Sequence, residues 1–173
     1  MSKKLIIVPF DFSSHAKAAL AYARQNFPDR QIKIVCVLEQ GNPYELGISL
    51  GPDYEADSIA KCRDTFYQQT NEDSSKLDFH VRFGEPSDQI VQFGKECNAT
   101  HIVMSTHGRT GIKRLFLGSV AQKVISAASC PVILLPNQWF EELTNKDSSY
   151  KEMLIDSIYK SASPVEETND VQP

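Results

Sequence analysis

The chain has 173 residues, enough for one domain with a sizeable core and a tail, and its 41% hydrophobic and 23% charged residues are those of an ordinary globular protein. A formal net charge of −4, with basic residues clustered only at Arg109, Lys113 and Arg114, argues against nucleic-acid binding, which needs a basic face to displace counterions. No apolar run approaches the length that spans a bilayer, so no membrane role is expected.

The apolar run 4–9 (KLIIVP) shows no alternation and predicts a strand covered on both faces at the centre of a parallel sheet; Pro9 and Asp11 end it too early for a secretory leader. A turn through Phe10, Asp11, Phe12 and Ser13 leads into a helix with Ala16, Ala19, Leu20, Ala23 and Phe27 on one face. Asp11 therefore stands at the carboxyl end of the first strand, as a turn or capping residue or as a carboxylate facing a ligand. Residues 32–38 (IKIVCVL) predict the second strand. A long irregular stretch, 40–54, places Gly41, Pro43, Gly47, Gly51 and Pro52 beside Tyr44, Leu46, Ile48 and Leu50. It reads as a lid or partner contact, or as a surface loop pinned by its own apolar residues.

Residues 55–70 predict a helix with Ala56, Ile59, Ala60, Phe66, Tyr67 and Thr70 near its inner face and Arg63 as a polar intruder. Residues 77–83 alternate Leu77, Phe79, Val81 and Phe83 inward with Asp78, His80 and Arg82 outward, which predicts an edge strand with one solvated face. Pro86 suits the first turn of the next helix, whose inner face is Ile90, Phe93, Gly94 and Cys97, with Gly94 permitting close approach to the sheet. Residues 100–104 are the fourth strand. Strands alternating with helices call for right-handed crossovers in a parallel sheet. Cys36, Cys62, Cys97 and Cys130 are widely spaced, with no Cys-x-x-Cys pair, and read as reduced, mostly buried thiols of a cytoplasmic protein.

The stretch 101–136 organises the chain (HIVMSTHGRTGIKRLFLGSVAQKVISAASCPVILLP). An apolar strand breaks at Ser105 into a small, polar, glycine-bearing loop. A helix starts at Gly118 and Ser119, with Leu117, Val120, Ala121, Val124, Ile125 and Ala128 at helical spacing, and residues 130–135 form a fifth, buried strand. A loop and a helix N-terminus at the carboxyl end of a strand favour an anion, and phosphate is the evident candidate. Gly108, Gly111 and Gly118 let the backbone approach a ligand, Ser119 can cap the helix and donate its hydroxyl, and Arg109 supplies countercharge.

This stretch resembles the nucleotide loop of the universal stress protein family, whose ATP-binding members carry a glycine, two residues, a glycine, nine residues, then glycine followed by serine or threonine. Gly108 matches the second glycine, residues 109–117 are the nine, and Gly118 and Ser119 close the motif; Ser105 replaces the first glycine. The resemblance covers about residues 1–136 and implies a doubly wound, Rossmann-like α/β fold of the adenine nucleotide alpha hydrolase type. That fold has a five-stranded parallel sheet in the order 3-2-1-4-5 with helices on both faces. It implies that Asp11 contacts the adenosine part, that Val37 meets the adenine through its backbone, and that Pro9 and Phe10 floor the pocket. Met104, Ser105, His107, Gly108, Arg109, Gly118, Ser119 and Val120 would complete the site. The implied ligand is ATP, or ADP or AMP, with Mg²⁺ as an optional companion. The implied assembly is a homodimer through the strand from Cys130 to Leu135.

The implied role is that of a stress-response or regulatory protein. A nucleotide-free homodimeric interaction module, with the site closed by Ser105, is the alternative, and a slow ATP hydrolase is a weaker one. No enzyme is expected, because the loop lacks the Gly-Lys-Ser/Thr ending of a P-loop and His107 has no evident nucleophile or carboxylate partner. Beyond Pro136 the character changes. Residues 137–160 predict a short helical extension, with a capping-box pattern at Ser149 and Glu152, that packs on its own domain or a second subunit or serves as a partner-binding arm. Residues 161–173, polar and acidic, predict a disordered tail.

Overall fold

The computed structural model describes residues 4–39, 53–70, 78–106 and 117–136. In chain order these form β1 (Leu5–Pro9), α1 (Ser14–Asn26), β2 (Gln31–Leu38), α2 (Tyr54–Thr70), β3 (Asp78–Phe83), α3 (Pro86–Glu96), β4 (His101–Ser105), α4 (Ser119–Ala127) and β5 (Val132–Leu135). The predicted helical extension, the tail and the long loop after β2 lie outside the described residues.

All strands are parallel, in the order β3-β2-β1-β4-β5. The period-2 geometry of a strand divides their side chains between two layers. Ile6, Val8, Ile34, Cys36 and Val103 face α1 and α2, where they meet Ala19, Leu20, Cys62 and Phe66. Leu5, Ile7, Val35, Ile102 and Met104 face α3 and α4, where they meet Ile90, Phe93, Ala121 and Val124. The unbroken apolar run of β1 is thus explained: Ile6, Ile7 and Val8 are each at most 1% exposed because each face of the strand has its own core.

Two sequence expectations need correction. The outward face of β3 is only partly solvated: the His80 ring lies 4.8 Å from that of Phe93, and the Arg82 guanidinium carbon sits 4.8 Å over the same ring while pairing with Glu96. His80 Nε2 also lies 2.6 Å from Asp78 Oδ1. Polar side chains with apolar or planar bodies cover this edge, which alternation alone cannot distinguish from exposure. In α2 the buried side chains are Cys62, Phe66 and Thr70, whereas Ala56 and Ala60 are exposed; the large Phe66 sets the helix rotation. Gly94 does pack closely on the sheet, as expected, although a Cβ there would sit an ordinary 3.6 Å from Ile102 Cδ1, so the approach does not require glycine.

Candidate nucleotide site

The order of strands reverses between β1 and β4, whose chains leave in opposite directions, to α1 on one face and α4 on the other. A crevice opens at that switch point. Pro9, Phe10, Asp11, Val37, Met104, Ser105, Gly118, Ser119 and Val120 line one cavity there, with a volume of about 310 Å³. His107, Gly108 and Arg109 lie outside the described residues. Ala16, Val35, Glu39, Pro86, Ile90, Thr106 and Ala121 line the cavity as well, although the sequence had not placed them at the site. Thr106 belongs to the same small, polar break as Ser105, and Glu39 follows β2 directly, so both carried a positional signal. Pro86 and Ile90 carried none, because their reach depends on how α3 crosses the sheet.

Each wall has a local cause. β1 stops pairing at Pro9, opposite Val35, and the Phe10 N–H closes the ladder on the Val35 carbonyl at 2.9 Å. Because a strand alternates, Val37 turns its backbone N–H and C=O to the same side as Val35, now beyond the end of β1 and towards the cavity. Phe10 is 3% exposed and held edge-on to Phe66 at 5.0 Å, so the floor of the cavity is fixed by the aromatic core beneath it.

Asp11 performs the turn that the sequence offered as one of its roles. Its Oδ1 accepts hydrogen bonds from the Ser13 N–H at 3.1 Å and the Ser13 hydroxyl at 2.6 Å, while Ser13 Oγ caps α1 by accepting from the Ala16 N–H. Phe12 between them takes φ of 67°, a left-handed conformation that reverses the chain within one residue. The carboxylate is thereby fixed at the cavity wall rather than swinging freely.

The opposite wall is the start of α4. Ser119 does not cap this helix: the cap position is Gly118, and among the described residues no side chain hydrogen-bonds to the first turn. With no such cap among the described residues, the backbone N–H groups of the first turn stand at the positive end of the helix dipole, where an anion can accept from them. Thr106 holds the two ends of the intervening loop together. Its N–H donates to the Leu135 carbonyl at 3.1 Å, and its own carbonyl accepts the Gly118 N–H at 2.9 Å. A Cβ on Gly118 would lie 2.9 Å from that same Thr106 oxygen, so the close return of the loop requires glycine. Apolar walls, exposed strand backbone, a fixed carboxylate and an uncapped helix start are suited to a flat polar ring attached to an anionic group.

Comparison with known proteins agrees with this architecture. The profile of the universal stress protein family matches residues 3–136. The Thermus aquaticus universal stress protein in the QAH/OAS sulfhydrylase 3′ region is 30% identical over 139 residues, covering 76% of this chain and 98% of that one. Universal stress protein MJ0531 of Methanocaldococcus jannaschii is 43% identical over 60 residues, 35% of each chain, so that match spans about a third of the relative's length. Among solved structures, hypothetical protein MJ0577 of the same organism superposes with a TM-score of 0.62 at 22% identity, over 79% of this chain and 98% of that one. An Arabidopsis thaliana family protein with AMP bound gives a TM-score of 0.51 at 17% identity, over 82% and 97% of the two chains. A universal stress protein in complex with cAMP gives 0.51 at 16%, over 78% and 98%. At these identities the solved structures speak for the fold, and the profile and the Thermus relative for the family: the chain belongs to the universal stress protein family.

Proposed function

We propose that this protein binds an adenine nucleotide in the crevice between β1 and β4 and acts as a regulatory module of the stress response rather than as an enzyme. The observation that carries the reading is the convergence on one cavity of Val37 backbone, the Asp11 carboxylate and the uncapped start of α4. Val37 would hold the adenine edge, Asp11 the ribose, and the N–H groups at Ser119 and Val120 a phosphate, with Gly108 and Arg109 completing the phosphate side. The AMP and cAMP complexes of related folds support the ligand class, and the match to the family's ATP motif favours ATP over ADP or AMP. Among the described residues no three His, Cys, Asp or Glu side chains converge on a metal position, so a companion Mg²⁺ would be held chiefly by phosphate oxygens and water.

Occupancy of the site would bias the surface presented by the loops 40–54 and 105–119, which is how a nucleotide could regulate a binding protein without turnover. The reading includes a cytoplasmic location and a homodimer through β5, the edge strand, where Val132, Ile133 and Leu134 are only part-buried. Titration calorimetry with ATP, ADP, AMP and cAMP tests the ligand. Micromolar or tighter binding of one of them, lost in Asp11→Ala with the fold intact, is the expected result; no heat with any of them at millimolar concentration overturns the reading.

A further inference from the structure

The layer between the sheet and α2 holds two thiols in contact. Cys36 on β2 is 3% exposed and Cys62 on α2 is 7% exposed, both belong to one apolar cluster, and the Cys36 thiol donates a hydrogen bond to the Cys62 sulfur. We propose that Cys36 and Cys62 are an oxidative modification site, a dithiol that a hydroperoxide converts to an intramolecular disulfide tying α2 to β2.

The reaction balances in two steps. The Cys62 thiolate attacks one peroxide oxygen, the O–O bond breaks, and the second oxygen leaves as water or alcohol after taking a proton, giving a sulfenic acid. Cys36 sulfur then attacks the Cys62 sulfur, the S–O bond breaks, and the hydroxyl leaves as water with the Cys36 proton. Two thiols lose two electrons, and the peroxide gains them.

The surroundings favour Cys62 as the first to react. The hydrogen bond from Cys36 outweighs burial and lowers the Cys62 pKa, whereas burial pushes the Cys130 thiol up. Access follows from how lightly α2 is held. Of its 17 residues only Cys62, Phe66 and Thr70 are buried, and no buried side chain precedes Cys62. Opening the first half of the helix therefore uncovers this thiol while giving up little packing. Cys36 also stands between Val35 and Val37, both on the cavity wall, so the bond would restrain the adenine side of the site. This last consequence rests on the nucleotide reading; the disulfide does not.

The full-length chain, treated with excess hydrogen peroxide, is alkylated, digested without reductant and mapped by mass spectrometry. The expected product is a linked pair of peptides carrying Cys36 and Cys62, lighter by two hydrogens and separated by dithiothreitol. In Cys36→Ser the expected product is a dimedone adduct at Cys62. Alkylated Cys36 and Cys62 after peroxide, or oxidation of Cys97 and Cys130 ahead of them, overturns the proposal. The peptide map reads the thiols directly, so its outcome holds whether or not the chain binds a nucleotide.

Discussion

At Gly118 the space for a side chain is filled by a backbone oxygen. The residue has φ of −59° and ψ of 147°, which any amino acid adopts, so its requirement is steric rather than conformational. Gly118→Ala must push Thr106 away and break the hydrogen bond that joins the loop's ends, at a cost of about 1–3 kcal/mol. It should also weaken nucleotide binding by tenfold or more, since the first turn of α4 moves with it. Urea denaturation and calorimetry on the variant check both, and unchanged stability would show that the loop end yields freely. Ser105 poses the opposite case. One hydroxyl hydrogen bond contributes about 0.5–1.5 kcal/mol, so Ser105→Gly should leave affinity within about tenfold of the wild type. Binding that appears only in the variant would instead identify Ser105 as closing the site, and the interaction-module reading would replace the nucleotide one. Gly118 could be picked out from its place in a spaced motif. That Thr106 supplies the atom behind it could not, because that contact joins residues twelve positions apart in the sequence.

Among the elements, the start of α3 is tied to α4 through one side chain. Glu85 caps α3, with Oε2 accepting from the Asp88 N–H at 3.0 Å and from the Ser87 hydroxyl, while Oε1 receives Lys123 of α4 at 2.9 Å. The Ser87 hydroxyl first, then Lys123, hold the Glu85 carboxyl at a pKa of about 2. Because the folded value lies below the unfolded one of 4.5, the stabilisation is complete above pH 4.5 and fades as pH falls towards 2. Both partners are well exposed, so solvent screens most of the ion pair and the cap is the larger part. Glu85→Ala should cost about 1 kcal/mol at pH 7, as the loss of a cap does, and the gap from wild type should close as pH approaches 2. Urea midpoints measured from pH 7 to pH 2 give the answer; a gap independent of pH would assign the effect to packing. At Phe66 the ring stacks on Phe79 at 4.2 Å and supports Phe10 at the cavity floor. Phe66→Ala should cost about 3–5 kcal/mol and weaken the ligand with it, read by the same denaturation and by calorimetry. Helical spacing placed Phe66 on the inner face of α2 but also placed Ala56 and Ala60 there, since small residues carry little weight in deciding which way a helix turns.

On the scale of the whole molecule, the strand pattern was legible because the buried strands are short, mostly apolar runs and a turn follows the carboxyl end of β1 and of β4. The strand order was not written in any periodicity; it came from the resemblance, and the pairing of Ile6 with His101 and Ile7 with Ile102 bears it out. That pairing brings two distant turns, at Asp11 and Ser105, to one crevice. The exposed edge of the sheet leads to the last prediction. The Pro131 and Leu135 carbonyls face β4, accepting from the Ile102 and Thr106 N–H groups, so by alternation the backbone of Val132 and Leu134 faces away from the sheet. A second copy adding to this edge would bond to those two residues. Proline at position 132 removes an outward N–H while sparing the ladder to β4, because proline is tolerated on an edge strand where its nitrogen faces solvent. On the proposed homodimer, Val132→Pro should halve the mass measured by light scattering while leaving the circular dichroism spectrum unchanged. A wild-type chain that already runs as a monomer at tens of micromolar would remove the dimer from the reading. A variant that stays dimeric would move the interface off β5, to a surface that does not use the strand's outward backbone.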